Sequence, residues 1–142
     1  MTSPKKFRPE VGLTAISGTQ PKLAVIAVWG GVWTCAPVSE RPEIILSDWQ
    51  VFEVKLPGLP ERTRHFAGQN ITDHEGRTSS AINTIDPATG RGITGSGRIY
   101  QLRGRPGFTS DGRYVWSRWK SINSVTDVVD VTSEIKTMME LK

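Results

Sequence analysis

Between Pro57 and Gly107 the sequence is cut into short pieces by residues that reverse the chain: "PGLPE" at 57–61, "DHEG" at 73–76, "DPATG" at 86–90 and "RPG" at 105–107. Aspartate at the head of a turn hydrogen-bonds nearby backbone, proline presets φ, and glycine takes the positive φ that a tight reversal needs. Pieces this short cannot become long helices. The segments between the turns, "RTRHFAGQNI", "RTSSAINTI" and "GRGITGSGRIYQLRGR", are therefore expected to form a three-stranded antiparallel meander over 62–105. On its last strand Ile93, Gly95, Gly97, Ile99 and Gln101 would share one face, and Thr94, Ser96, Arg98, Tyr100 and Leu102 the other. The two glycines would leave a furrow there.

Upstream, "KLAVIAVWGGVWTC" is rich in Val, Ile and Trp and predicts strand across about 22–34. "EIILSDWQVFEVKL" predicts another across about 44–56, with Gln50, Phe52, Val54 and Leu56 alternating against Val51, Glu53 and Lys55, so that one face is buried. Residues 1–21 lack apolar periodicity and read as a flexible arm ahead of a single domain at 22–142. After Gly107 the period becomes helical: Val115, Trp119 and Ile122 form a stripe with Trp116 beside it, behind Thr109, Ser110 and Asp111 as candidate N-caps. A helix is expected near 111–123, with Arg113, Ser117 and Lys120 on its opposite side. "VTDVVDVT" suits a short strand, and "SEIKTMMELK" a helix near 133–141 with Ile135, Met138, Met139 and Leu141 turned inward. The expected class is α+β, an antiparallel meander core with two short helices.

Several functions are excluded by what the chain lacks. The longest apolar run, Leu23 to Trp33, is far shorter than the ~20 residues a membrane-spanning helix requires. The lone Cys35 can form no internal disulfide and nothing near Met1 resembles an export signal, so a cytoplasmic setting is expected and the Asn70 glycosylation triplet carries no weight. Neither a P-loop nor a dinucleotide-binding glycine fingerprint occurs, and "GSG" at 95–97 runs on into strand-like "RIYQL" rather than a helix that could receive phosphate. Two histidines and one cysteine without close spacing make no zinc site. No cofactor or metal is expected.

Charge is the informative feature. The net +4 is concentrated in residues 62–120, which hold ten Lys or Arg against four Asp or Glu; from Pro87 to Ser110 there is no acidic residue. The candidate binding set is Arg91, Arg98, Tyr100, Arg103, Arg105, Arg113, Arg118 and Lys120, interleaved with Phe108, Tyr114, Trp116 and Trp119. Guanidinium forks match phosphate geometry and aromatic rings stack on bases, so this set suits nucleic acid; it also suits an acidic protein surface. By strand parity Arg103 and Arg105 share a face and Arg98 points to the other, and Trp116 and Trp119 are expected as core anchors.

Two other classes compete. His65 or His74, with Glu75 and one arginine, could serve a metal-independent ribonuclease, although Asp73-His74-Glu75-Gly76 reads first as an ordinary exposed turn. A structural protein that self-assembles through aromatic surfaces is the other alternative.

The run "SSAINTIDPATGRGITGSGRIYQLRGRPG" with the later "YVWSRWKSIN" resembles small accessory proteins carried by bacteriophages, prophages and mobile elements, over roughly 62–131. No catalytic motif comes with the resemblance. It implies a bacterial host cell and a protein that binds and blocks a host complex, including nucleic-acid-guided defence machinery such as CRISPR. The expected function is non-enzymatic binding of nucleic acid, or of a host nucleoprotein complex, by an arginine-rich face.

Overall fold

The computed structural model describes residues 13–14, 33–34, 38–39 and 42–140. They form β1 (Leu13–Thr14), β2 (Trp33–Thr34), β3 (Glu43–Val54), β4 (Thr63–Asn70), β5 (Glu75–Thr78), β6 (Ile82–Asp86), β7 (Arg91–Thr94), β8 (Ile99–Leu102), α1 (Ser110–Ile122), β9 (Val128–Asp130) and α2 (Thr132–Glu140). The layout is α+β and dominated by strands, and both expected helices and the short strand between them are present. Most of the expected strand at 22–34 and of the arm at 1–21 lies outside the described residues. Leu13 and Thr14, however, pair with β5 and β2, so that portion of the expected flexible arm is held in the sheet.

The strands form one mixed sheet in the order β2-β1-β5-β4-β3-β8-β7-β6, with β9 beside the C-terminal end of β3. All pairs are antiparallel except β3 with β8, which run parallel from Glu43 opposite Ile99 to Leu46 opposite Leu102. The meander expected over 62–105 is in fact two units on opposite sides of β3: the β4–β5 hairpin, and the β6-β7-β8 meander. Turn chemistry marks where a chain reverses, but not which strand receives it.

The glycine-rich stretch is likewise two strands. Gly97 has φ +90 and its N–H donates to the Thr94 carbonyl at 2.8 Å, which closes a tight reversal between β7 and β8. Gly95 and Gly97 therefore make a turn and no furrow. At the β4–β5 turn the positive φ falls on His74 (+55), while Gly76 enters β5.

β5 and β6 are joined by residues 79–81 alone. Four peptide steps reach at most roughly 14 Å, whereas five inter-strand spacings on a flat sheet would be roughly 24 Å. The sheet must roll. Two contacts close the roll: Gly92 of β7 meets the Phe66 ring of β4, and Arg77 Nε of β5 donates to the Tyr100 hydroxyl of β8 at 3.3 Å.

β3 holds the two cores apart. A bulge between Ser47 and Gln50, with Asp48 at φ +49, switches strand parity, so Ile44 and Leu46 before it and Trp49 and Val51 after it all reach the core inside the roll. Phe52 and Val54 face the other core, with Ala67 of β4 and Val115, Trp116 and Trp119 of α1. β3 thus buries both faces rather than the single face that alternation suggested. Phe66 and Ala67 are successive and so point to opposite faces, which places α1 and the Ile135 side of α2 on opposite sides of β4. Ile135 is buried as expected, but Met138 and Ile122 are more than a third exposed, because each falls off the packed side of its helix. Thr109 caps α1, its Oγ1 accepting from Gly112 N at 3.0 Å.

Candidate nucleic-acid interface

The expected binding set divides by burial. Arg98 and Tyr100, only 5% and 1% exposed, are interior residues and leave the set. The roll that places β8 between β7 and β3 turns the Arg98 and Tyr100 side inward, against Phe66 (ring centroids 5.3 Å from Tyr100) and Arg77. Arg91 stays near the surface, but its Nη1 meets Glu43 at 3.1 Å and Gln101 at 3.2 Å. Its charge is already matched.

Arg103, Arg105 and Arg113 are exposed, and among the described residues no carboxylate lies within ion-pair distance of them. The first two stand on the segment that leaves β8, which is pinned at its ends: Arg103 N donates to Leu46 O at 2.9 Å and Gly107 N to Trp49 O at 3.1 Å. Arg113 lies in the first turns of α1 and places its guanidinium 4.4 Å from the centre of the Phe108 ring, a cation–π contact. Phe108 is 57% exposed, the most exposed large hydrophobic side chain among the described residues. Five peptide steps separate Arg103 from Phe108, so the pair lies within roughly 17 Å at any extension. Two carboxylates border this patch, Asp111 on α1 and Asp48 beside Gly107; Asp48 accepts from Ser47 Oγ at 3.0 Å.

Lys120 follows Arg113 by two helical turns on nearly the same side of α1, about 20° away, whereas Arg118 is about 140° round from Arg113. Lys120 Nζ sits 5.8 Å from the Trp116 ring. Arg118 is half-buried, and its Nε is enclosed with no hydrogen-bond partner among the described residues. The eight expected residues are therefore not one face. What stays exposed along one stretch of chain is Arg103, Arg105, Phe108 and Arg113, of which Arg113 and Phe108 are in contact, with Lys120 farther along α1.

Trp116 and Trp119 are buried, as expected of core anchors. Phe52, Trp116 and Trp119 stack in a column (4.4 Å and 5.4 Å between centroids) that ends on His65, 4.5 Å from Trp119. His65 is fully buried; its Nδ1 donates to Ser79 O at 3.0 Å, leaving Nε2 to accept from the Thr63 hydroxyl at 2.8 Å. Burial pushes its pKa down to about 4. Both ring nitrogens are engaged and the ring is neutral near pH 7. His74 occupies the exposed turn at the far end of β4, about 17 Å along the strand by residue rise. The two histidines do not converge.

Sequence reasoning missed two arginine roles. Arg77 is 2% exposed and meets Glu75 Oε2 at 3.3 Å, a buried pair flanked by Asn70, whose amide donates to Asp73 at 3.0 Å. Arg62 and Arg64 are joined through Glu53, at 2.8 and 3.0 Å, to a surface network that also takes in Asp127 and Glu134. A cation flanked by acids from distant segments carries no local signal of its partners.

Among the described residues no cluster of His, Cys, Asp and Glu has metal-holding geometry, and no helix is long and apolar enough to cross a membrane. No family model, curated protein or solved structure matches the chain.

Proposed function

We propose that this is a non-catalytic binding protein whose exposed arginines hold nucleic acid, free or presented by a host nucleoprotein complex. One observation carries the reading: Arg103, Arg105 and Arg113 stand exposed and unpaired among the described residues along one stretch of chain, with Arg113 against a Phe108 ring that is 57% exposed. Unpaired guanidinium groups meet phosphates without first breaking an internal ion pair, and an exposed ring offers a base a stacking surface. The resemblance to phage accessory proteins supplies the setting, the cytoplasm of a bacterial host, and a role in blocking defence machinery by occupying its nucleic-acid site. The engagement of both His65 nitrogens supports binding over acid–base chemistry.

Fluorescence anisotropy with a labelled single-stranded oligonucleotide tests this. Affinity is expected to fall as salt rises, with a log–log slope of about −2 if three phosphates are neutralised on a single strand. Joint replacement of Arg103, Arg105 and Arg113 by Ala should flatten the slope to near zero while far-UV circular dichroism is unchanged. No binding at low salt, or a slope that survives the triple substitution, would overturn the reading.

A further inference from the structure

Beside the arginine segment lies a cleft of about 390 Å³ between the β6–β7 turn, the segment 104–106 and the last turn of α2. It falls within the size range of ligand sites. Pro87, Ala88, Pro106 and Met139 form apolar walls and Trp49 lies at the base. The indole is fixed, its Nε1–H donating to Gly104 O at 3.1 Å.

On the β6–β7 and α2 sides of this cleft the polar groups are occupied. Asp86 takes the donors of the β6–β7 turn: Ala88 N at 3.0 Å, Thr89 N at 3.3 Å and Gly90 N at 2.8 Å. The two prolines have no N–H to offer. Lys136 is paired with Glu140 at 2.9 Å, which neutralises the one lining carboxylate. Arg105 is left as the lining cation without an ion-pair partner among the described residues. A peptide laid along the β6–β7 turn would meet backbone donors that Asp86 already takes. A flat ring carrying an anionic group needs only apolar walls and one guanidinium.

We infer that this cleft takes a single nucleotide of a bound strand, its base against the apolar walls and its phosphate at Arg105. The inference rests on the nucleic-acid reading above and adds a location and a chemistry to it. With the donors of the β6–β7 turn taken by Asp86, the apolar walls and Arg105 supply recognition by burial and charge, so purine and pyrimidine nucleotides bind alike.

The test is a ¹⁵N-labelled NMR titration of the full chain with AMP, UMP and ribose 5-phosphate, alongside an oligothymidylate. AMP and UMP should both shift Thr89, Gly104 and Met139 amides saturably, and ribose 5-phosphate should bind at least about tenfold more weakly. Arg105→Ala should weaken AMP at least about tenfold, as expected on losing a charged hydrogen bond. Ala88→Trp, on an exposed turn, should fill the cleft and abolish AMP binding while the oligonucleotide still binds through Arg103 and Arg113. Equal binding of ribose 5-phosphate and AMP would reduce the site to an anion contact and overturn the inference. Oligonucleotide binding without shifts at the cleft would overturn it and leave the arginine reading intact; absence of binding by every probe would remove both.

Discussion

Gly76 and Gly97 are the same residue type kept for opposite reasons. A Cβ at Gly76 would stand 2.2 Å from the Asp111 carbonyl oxygen, because the first turn of α1 lies directly on β5; at Gly97, with φ +90, nothing lies within 4 Å. Gly76→Ala must push backbone from backbone and should destabilise by about 3 kcal/mol or more. Gly97→Ala should cost only about 1 kcal/mol of stability, through local backbone strain. Urea unfolding of the two variants checks the ranking, which would reverse if α1 could lift away freely. His65 gives a second prediction at this scale. Its pKa is near 4 when folded against 6.5 as the unshifted value, so from pH 6.5 downward the unfolded chain binds a proton that the folded one excludes. Its contribution is complete above pH 6.5 and is lost progressively toward pH 4, by about 3 kcal/mol in all. Urea midpoints taken down this range should fall in the wild type and fall less in His65→Gln. None of this was legible beforehand, since "RTRHFAGQNI" does not say what covers its histidine.

Elements are joined at the surface by charge. Arg64 bridges Glu53 on β3 and Glu134 on α2, with both guanidinium Nη atoms on the Glu134 carboxylate at 3.0 and 3.2 Å. Hydrogen bonds from Arg64 and then Arg62 hold the Glu53 carboxyl below its ordinary range, and Arg62 does the same for Asp127. Depressed carboxylates stabilise the fold above their unfolded pKa values and lose that contribution as pH falls through the folded ones. This lies at lower pH than the His65 effect. The pairs remain partly exposed, so screening keeps each one small; a double-mutant cycle on Arg64 and Glu134 should give a coupling of about 0.5 to 1 kcal/mol that shrinks in high salt. A salt-independent coupling would contradict this. The edge strand β6 shows a different use of local chemistry. It is short, carries a bulge between Ile82 and Thr84 and ends on Asp86, features that discourage pairing with another sheet. Helix α1 was readable apart from Ile122, because its cap, most of its apolar stripe and the following break all lie within one stretch of sequence. β3 was read with one buried face because the alternation over 50–56 does not show that Val51, opposite Phe52 and Val54, is covered by the interior of the roll.

At the scale of the whole molecule, the roll of the sheet decides which arginines face solvent. It takes Tyr100 and Arg98 inside, brings Arg91 to Glu43, and leaves the 103–113 segment on the outside. Asp48→Asn, beside Gly107, removes a carboxylate bordering that segment and should strengthen oligonucleotide binding two- to threefold at low salt, an effect expected of about 0.5 kcal/mol of surface electrostatics. Weaker binding would place the strand elsewhere. The sequence alone determined the element types from Glu43 onward, the turns at 57–61 and 86–90, both helices, the two core tryptophans of α1 and the location of the basic segment, because each of these follows from neighbours a few positions apart. Tertiary structure alone decided the parallel pairing of β3 with β8, the burial of both faces of β3, the partners of Arg62, Arg64, Arg77 and Arg91, and the cleft beside Arg105. These depend on strands and charges brought together from distant parts of the chain, and pairings of that kind leave no local periodicity to read.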